Sequence, residues 1–106
     1  MSHDLAILGG RIIDPANGRD GFADIAFKDG KVAAIGAGAG DGAVETVRAD
    51  GLIVTPGLID LHTHIYWGGT SLGVDPDAYM GQTGCTTLVD AGSAGPANFH
   101  GFRRHI

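Results

Sequence analysis

The chain contains one cysteine, Cys85, and only two lysines, Lys28 and Lys31, among its 106 residues. A single thiol allows no internal disulfide and no thiolate pair for a structural zinc site. Lying in an apolar stretch, Cys85 reads as a small core residue rather than as a ligand or nucleophile. Lysine and arginine never cluster, and the formal net charge is -5. The basic footprint of a nucleic-acid or anionic-membrane binder is therefore missing. No apolar run approaches the roughly 18 residues of a membrane span. Met1-Ser2-His3-Asp4 lacks the basic and apolar regions of a secretory leader. These absences predict a cytoplasmic protein whose partner is a small molecule.

What the chain has in excess is glycine, 19 residues set largely between short apolar runs. With 43% hydrophobic and 18% charged residues, that is the composition of a globular chain of short strands and tight turns. Leu5–Leu8 and Arg11–Asp14 read as two strands with a flexible break at Gly9-Gly10. Asp14-Pro15-Ala16-Asn17-Gly18 is a turn by chemistry. Asp24–Lys28 and Lys31–Ile35 form a hairpin closed by Asp29-Gly30, a pair suited to a type I′ turn. A glycine-rich connection follows over 36–42, then a strand from Val44 to Arg48. The expectation for residues 1 to about 54 is a small antiparallel β unit. Gly38-Ala39-Gly40-Asp41-Gly42-Ala43 satisfies the short dinucleotide-binding pattern, but it opens no helix and reads as a plain loop.

The chain is organised around Thr55-Pro56-Gly57-Leu58-Ile59-Asp60-Leu61-His62-Thr63-His64. In an extended strand Asp60, His62 and His64 share one face, while Ile59, Leu61, Thr63 and Ile65 share the other. That division suits a parallel strand whose outward side packs under helices and whose inward side does chemistry. Neutral imidazoles at i and i+2 can reach one metal ion, and Asp60, one step deeper, is placed to orient a ligating ring. A bare His-x-His also occurs by chance in strands.

After His64, Tyr66 and Trp67 lead a small-residue loop. They either wall a substrate site or seal the loop against its neighbours. Asp75-Pro76 starts a helix, with Asp75 as N-cap, and Gly84 ends it. Cys85–Val89 is a second strand. It ends in Asp90-Ala91-Gly92-Ser93, where Ser93 is a candidate substrate contact and Asp90 either reaches the site or caps loop amides. Phe99, Phe102 and Ile106 recur at helical spacing, and the chain stops there without a cap or breaker, which reads as an interruption.

The string Pro56-Gly57-Leu58-Ile59-Asp60-Leu61-His62-Thr63-His64 resembles the first-strand signature of the amidohydrolase superfamily, metal-dependent hydrolases built on a (β/α)8 barrel. The runs Leu5–Pro15 and Asp24–Gly36 are similar to the N-terminal β-sandwich segment of dihydroorotases, hydantoinases and deacetylases. Gly68–Asp77, Val89–Gly95 and Asn98–Phe102 look most like the deacetylase branch, often called dihydroorotase-like. The fold implied is α/β: residues 1–55 as the N-terminal part of a β-sandwich domain, and 56–106 as the first two βα units of a TIM barrel. A complete barrel takes about 250 residues, so the expectation is a truncated chain.

The resemblance implies zinc, as one or two divalent ions, with His62 and His64 as ligands and Asp60 behind them. Tyr66, Trp67 and Ser93 would line the substrate site. The bridging lysine, further histidines and late aspartate of binuclear members have no match here, so no catalytic acid/base falls within these residues. The activity implied is hydrolysis of carbon–nitrogen (non-peptide) or ester bonds in a small acylated substrate. A cyclic amidohydrolase and a non-catalytic metal-binding module are the alternatives, and a homo-oligomer is admitted for the full-length protein.

Overall fold

In the computed structural model, which describes residues 2–106, the N-terminal half is built on one long strand, β1 (Leu5–Asp14). A 3-10 turn at Pro15–Asn17, closed by Gly18 in the left-handed region, returns the chain into β2 (Arg19–Lys28). Asp29 and Gly30, both with positive φ, then turn it into β3 (Lys31–Gly36). Two positive-φ residues in succession are what a type I′ hairpin demands. β4 (Glu45–Arg48) and β5 (Ile53–Val54) complete a five-stranded sheet in the order β3-β2-β1-β4, with β5 also on β1.

Two sequence expectations are corrected here. Gly9-Gly10 does not divide β1. The register runs Ile7↔Ile25 and then Gly10↔Ala23, so Leu8 and Gly9 together oppose Asp24 in a β-bulge. Gly9 takes φ 71°, and its amide donates to Asp24 Oδ1 at 2.9 Å while the Gly38 amide donates to Oδ2 at 3.2 Å. One carboxylate thus satisfies the amide that the bulge removes from the ladder. Nor is the unit purely antiparallel. β4 and β5 run parallel to β1, because loop 37–44 carries the chain across before β4 pairs.

The core of this unit is thin. Ala6 and Ala26, directly paired across β1 and β2, are fully buried, joined by Ile12, Ile25 and Ala49. Small residues are required where strands approach closely. A Cβ at Gly10 would come within 2.5 Å of Val54 Cγ2, so glycine there lets the β5 segment close on β1.

The chain divides into two units, the first ending at Pro56 and the second running from Gly57 to Ile106. In the second, β6 (Leu58–Thr63), α1 (Pro76–Thr83) and β7 (Cys85–Asp90) form a β-α-β unit with parallel strands, followed by α2 (Phe99–His105). Helix α1 begins where its capping chemistry dictates. Asp75 Oδ1 accepts from the Asp77 amide at 3.0 Å and the Ala78 amide at 3.4 Å, Pro76 is the first helical residue, and Gly84 ends the helix at φ 72°. Helix α1 packs on β7. Thr63 and Ile65 are buried at the far end of the histidine strand, whereas Ile59 and Leu61 on the same side are 61% and 74% exposed. The expected helix cover reaches only the end of that face. No helix among the described residues is long and apolar enough to cross a membrane.

Because Asp24 is the acceptor for the bulge amide, Asp24→Ala should destabilise the protein by about 1–3 kcal/mol by leaving that amide unpaired. Urea denaturation measures this. An unchanged midpoint would mean that the bulge does not depend on the carboxylate.

Candidate functional site

The C-terminal ends of β6 and β7 are joined by a set of bonds that the parallel ladder does not supply. The Thr63 hydroxyl donates to the Val89 carbonyl at 3.0 Å, and the Ala91 amide donates to the Thr63 carbonyl at 2.8 Å. Asp90 then gathers three amides. Ile65 donates to Oδ2 at 3.0 Å, while Gly92 and Ser93 donate to Oδ1 at 2.9 and 2.6 Å. Burial acts to raise the Asp90 pKa. The Ile65 and Ser93 amides, the Ser93 hydroxyl and the Gly92 amide outweigh it and hold the carboxyl below its ordinary value of 3.8. Of the two sequence readings for Asp90, the structure places it as the cap of loop amides.

His62 is the penultimate residue of β6, and His64 lies just past the strand's end. Their rings stand edge to face, with centroids 5.6 Å apart and planes at 71°. They share a cavity of about 210 Å³ with Asp60, Leu72, Val74 and Tyr79. The loop after His64 folds back over it: the Val74 amide donates to the His64 carbonyl at 2.8 Å. Gly73 lets that loop close, since a Cβ there would collide with the Tyr66 carbonyl. On the ring itself, His64 Nδ1 lies 2.9 Å from Ser93 Oγ. Ser93, read from the sequence as a substrate contact, is turned to an imidazole.

Asp60 lies one step back along the strand, bonded to the main chain of His62. Its Oδ1 accepts the His62 backbone amide at 3.0 Å and its Oδ2 accepts the Tyr79 hydroxyl at 2.8 Å. No imidazole nitrogen is among these partners, so Asp60 acts on His62 through the main chain. The His62 amide, and after it the Tyr79 hydroxyl, hold the carboxyl below 3.8. Reciprocally, the Asp60 hydrogen bond and charge push the Tyr79 phenol above 10.0. Sequence reasoning did not find Tyr79; mid-helix, with its partner 19 residues away, it carries no local signal.

The two aromatics after His64 separate. Tyr66 is half-buried, with its ring edge to face with Phe102 at 5.3 Å and its hydroxyl 3.4 Å from the Asn98 carbonyl. It seals the loop against the start of α2. Trp67 is 61% exposed and free to meet a ligand. Among the described residues no group of three or more His, Cys, Asp or Glu side chains is close enough to enclose a metal ion. The site offers two imidazoles on one wall of an open cavity.

No family model matches the chain. A deacetylase of Agrobacterium fabrum is 51% identical over 80 residues, covering 74% of this chain and 19% of that protein. Among solved structures, a dihydroorotase superposes with a TM-score of 0.82 at 42% identity, over 96% of this chain and 27% of that one. The N-acyl-D-glutamate deacylase of Bordetella bronchiseptica, solved with zinc and a phosphonate inhibitor, gives a TM-score of 0.67 at 35% identity, over 83% of this chain and 18% of that one. The chain belongs to the amidohydrolase superfamily. It spans about a fifth of the length of the curated relatives it matches.

The Asp60–Tyr79 bond yields a pH prediction. Because the folded-state pKa of Tyr79 is raised, its stabilising contribution is fully present below the unfolded value near 10.0 and is lost as pH rises through the higher folded value. In alkaline titration followed by tyrosinate absorbance, with Tyr79→Phe subtracted, Tyr79 should ionise above 10.0. Asp60→Asn should bring it back toward that value. Identical titrations in both proteins would show that the bond is not formed in solution.

Proposed function

We propose that this chain provides the opening portion of a metal-dependent hydrolase, one that cleaves a carbon–nitrogen (non-peptide) or ester bond in a small acylated substrate. The observation that carries the reading is the pair of imidazoles facing one cavity at the end of β6, in a chain 51% identical to a deacetylase over 80 residues. Residues 1–55 belong, on this reading, to a β-sandwich domain. Residues 56–106 are the first two βα units of a (β/α)8 barrel whose remaining strands lie elsewhere in the protein. The parallel β6-α1-β7 unit supports this, with both candidate loops at the C-terminal strand ends where barrel enzymes act.

The donor set fits a divalent ion. Imidazole nitrogens bind zinc at about 2.0–2.1 Å, so two rings on one ion have centroids roughly 5 Å apart, close to the separation of His62 and His64. Two ligands do not close a tetrahedral shell, so the others are supplied by later strands. When bound, the metal supplies Lewis acidity and a water acidic enough to be deprotonated near neutral pH.

The work of this chain's own residues is positional. His62 is fixed through its amide by Asp60, and Asp60 is anchored by Tyr79. Asp90 ties the His64 end of β6 to the loop after β7. The loop over Leu72 and Val74 forms the wall of the histidine cavity against which an acyl substrate rests. A ring-opening activity, as in the dihydroorotase, is the competing reading. The loops spanning 65–74 and 91–98 contain no arginine or lysine, so the part of the mouth formed here has no clamp for a ring substrate's carboxylate.

The test uses zinc-loaded full-length protein and compares N-acetyl and O-acetyl acids with dihydroorotate and hydantoin. Acyl hydrolysis should have the higher kcat/KM, and faster ring opening would overturn the substrate assignment. His62→Ala or His64→Ala should each lower activity by roughly 100-fold or more, exceeding what loss of an outer partner costs. Full activity after either substitution would overturn the metal reading.

A further inference from the structure

We infer that Ser93, held in place by Asp90, is the positioning residue for His64, fixing the ring with its proton on Nδ1 and its Nε2 lone pair turned to the cavity. This rests on the reading of His64 as a metal ligand. Ser93 lies 29 residues from His64, on the loop after the neighbouring strand, yet its Oγ stands 2.9 Å from Nδ1. The main chain that carries it is held, because the Ser93 amide donates to Asp90 Oδ1 at 2.6 Å. The other oxygen of the same carboxylate accepts the amide of Ile65, the residue after His64. One carboxylate therefore holds the bearer of the hydroxyl and the residue that follows the bearer of the ring.

The direction of the bonds follows from donor and acceptor chemistry. A hydroxyl has one hydrogen, and an ionised carboxylate can only accept. With Nε2 given to a cation, Nδ1 carries the ring hydrogen, and Ser93 Oγ, 2.9 Å away, is its acceptor. An acceptor beside Nδ1 selects the tautomer with hydrogen on Nδ1 and the lone pair on Nε2. Only an unprotonated ring nitrogen binds a cation, and an outer partner that fixes the tautomer makes such a ligand stronger. His62 has no such side-chain partner among the described hydrogen bonds, so the restraint is specific to His64.

The test measures zinc affinity of the full-length protein by competition with a chromophoric chelator. Ser93→Ala keeps the three amide bonds to Asp90 and so keeps the loop, but should weaken zinc binding roughly 10–100-fold. Ser93→Thr, which restores a hydroxyl, should recover most of that loss. In metal-free protein, long-range nitrogen–proton spectra should show a single Nδ1–H tautomer for His64, giving way to a mixture in Ser93→Ala. Unchanged affinity and tautomer in Ser93→Ala would overturn the inference. So would weakened affinity with the tautomer unchanged, which would indicate packing alone. His64→Ala separates this from the parent reading. If that variant binds zinc normally, the metal assignment fails; if it loses zinc while Ser93→Ala does not, only the role of Ser93 fails.

Discussion

The Asp90 carboxylate is the interaction on which the second half of the molecule depends. Two parallel strands with few buried residues around them have little stability of their own, and here the ends that matter are held by one side chain accepting amides from both. It adds to the Thr63–Val89 and Ala91–Thr63 bonds by tying Ile65 to Ser93. Together these bonds join the end of the histidine strand to the loop after β7, and the Ser93 hydroxyl lies against the His64 ring. That carboxyl remains ionised through the neutral range because the amides it collects favour the charged form.

Asp60 does a parallel task one step earlier on the same strand. Both aspartates are committed to main-chain amides, the first to His62 and the second to Ile65, Gly92 and Ser93. Asp60 lines the cavity beside the rings, and the acidic residues also fix the backbone from which the rings project. In the proposed metal centre this restraint matters, since a ligating ring must be held in one orientation before the ion arrives. Tyr79 extends the scheme to helix α1, so that the helix and the histidine strand restrain each other.

The first unit relies on the same device in a different setting. At the bulge in β1 it is Asp24 that collects amides, from Gly9 and Gly38, at a point where the ladder leaves one unpaired. Its core is alanine against alanine rather than a cluster of large side chains, which suits strands that approach closely but gives modest apolar burial. Several large residues in this unit, Phe22, Val44 and Ile53 among them, are more than 60% exposed.

Much of this was legible in order along the chain, and the reason is locality. The Asp29-Gly30 hairpin, the Asp75-Pro76 helix start, the Gly84 stop and the alternation that puts His62 and His64 on one side are each decided by a few consecutive residues. The misreadings share the opposite cause. Gly9-Gly10 reads as a break until the strand opposite supplies Asp24, and β4 reads as antiparallel until the crossover loop is followed in space. The roles of Asp60, Ser93 and Tyr79 rest on bonds spanning 19 to 29 residues or on the main chain itself, where no sequence pattern records them. The sequence by itself determined which side chains could do chemistry, because residue type and period are local properties. Only the tertiary structure decided which of them hold the others still, because that depends on which strand ends the fold brings together.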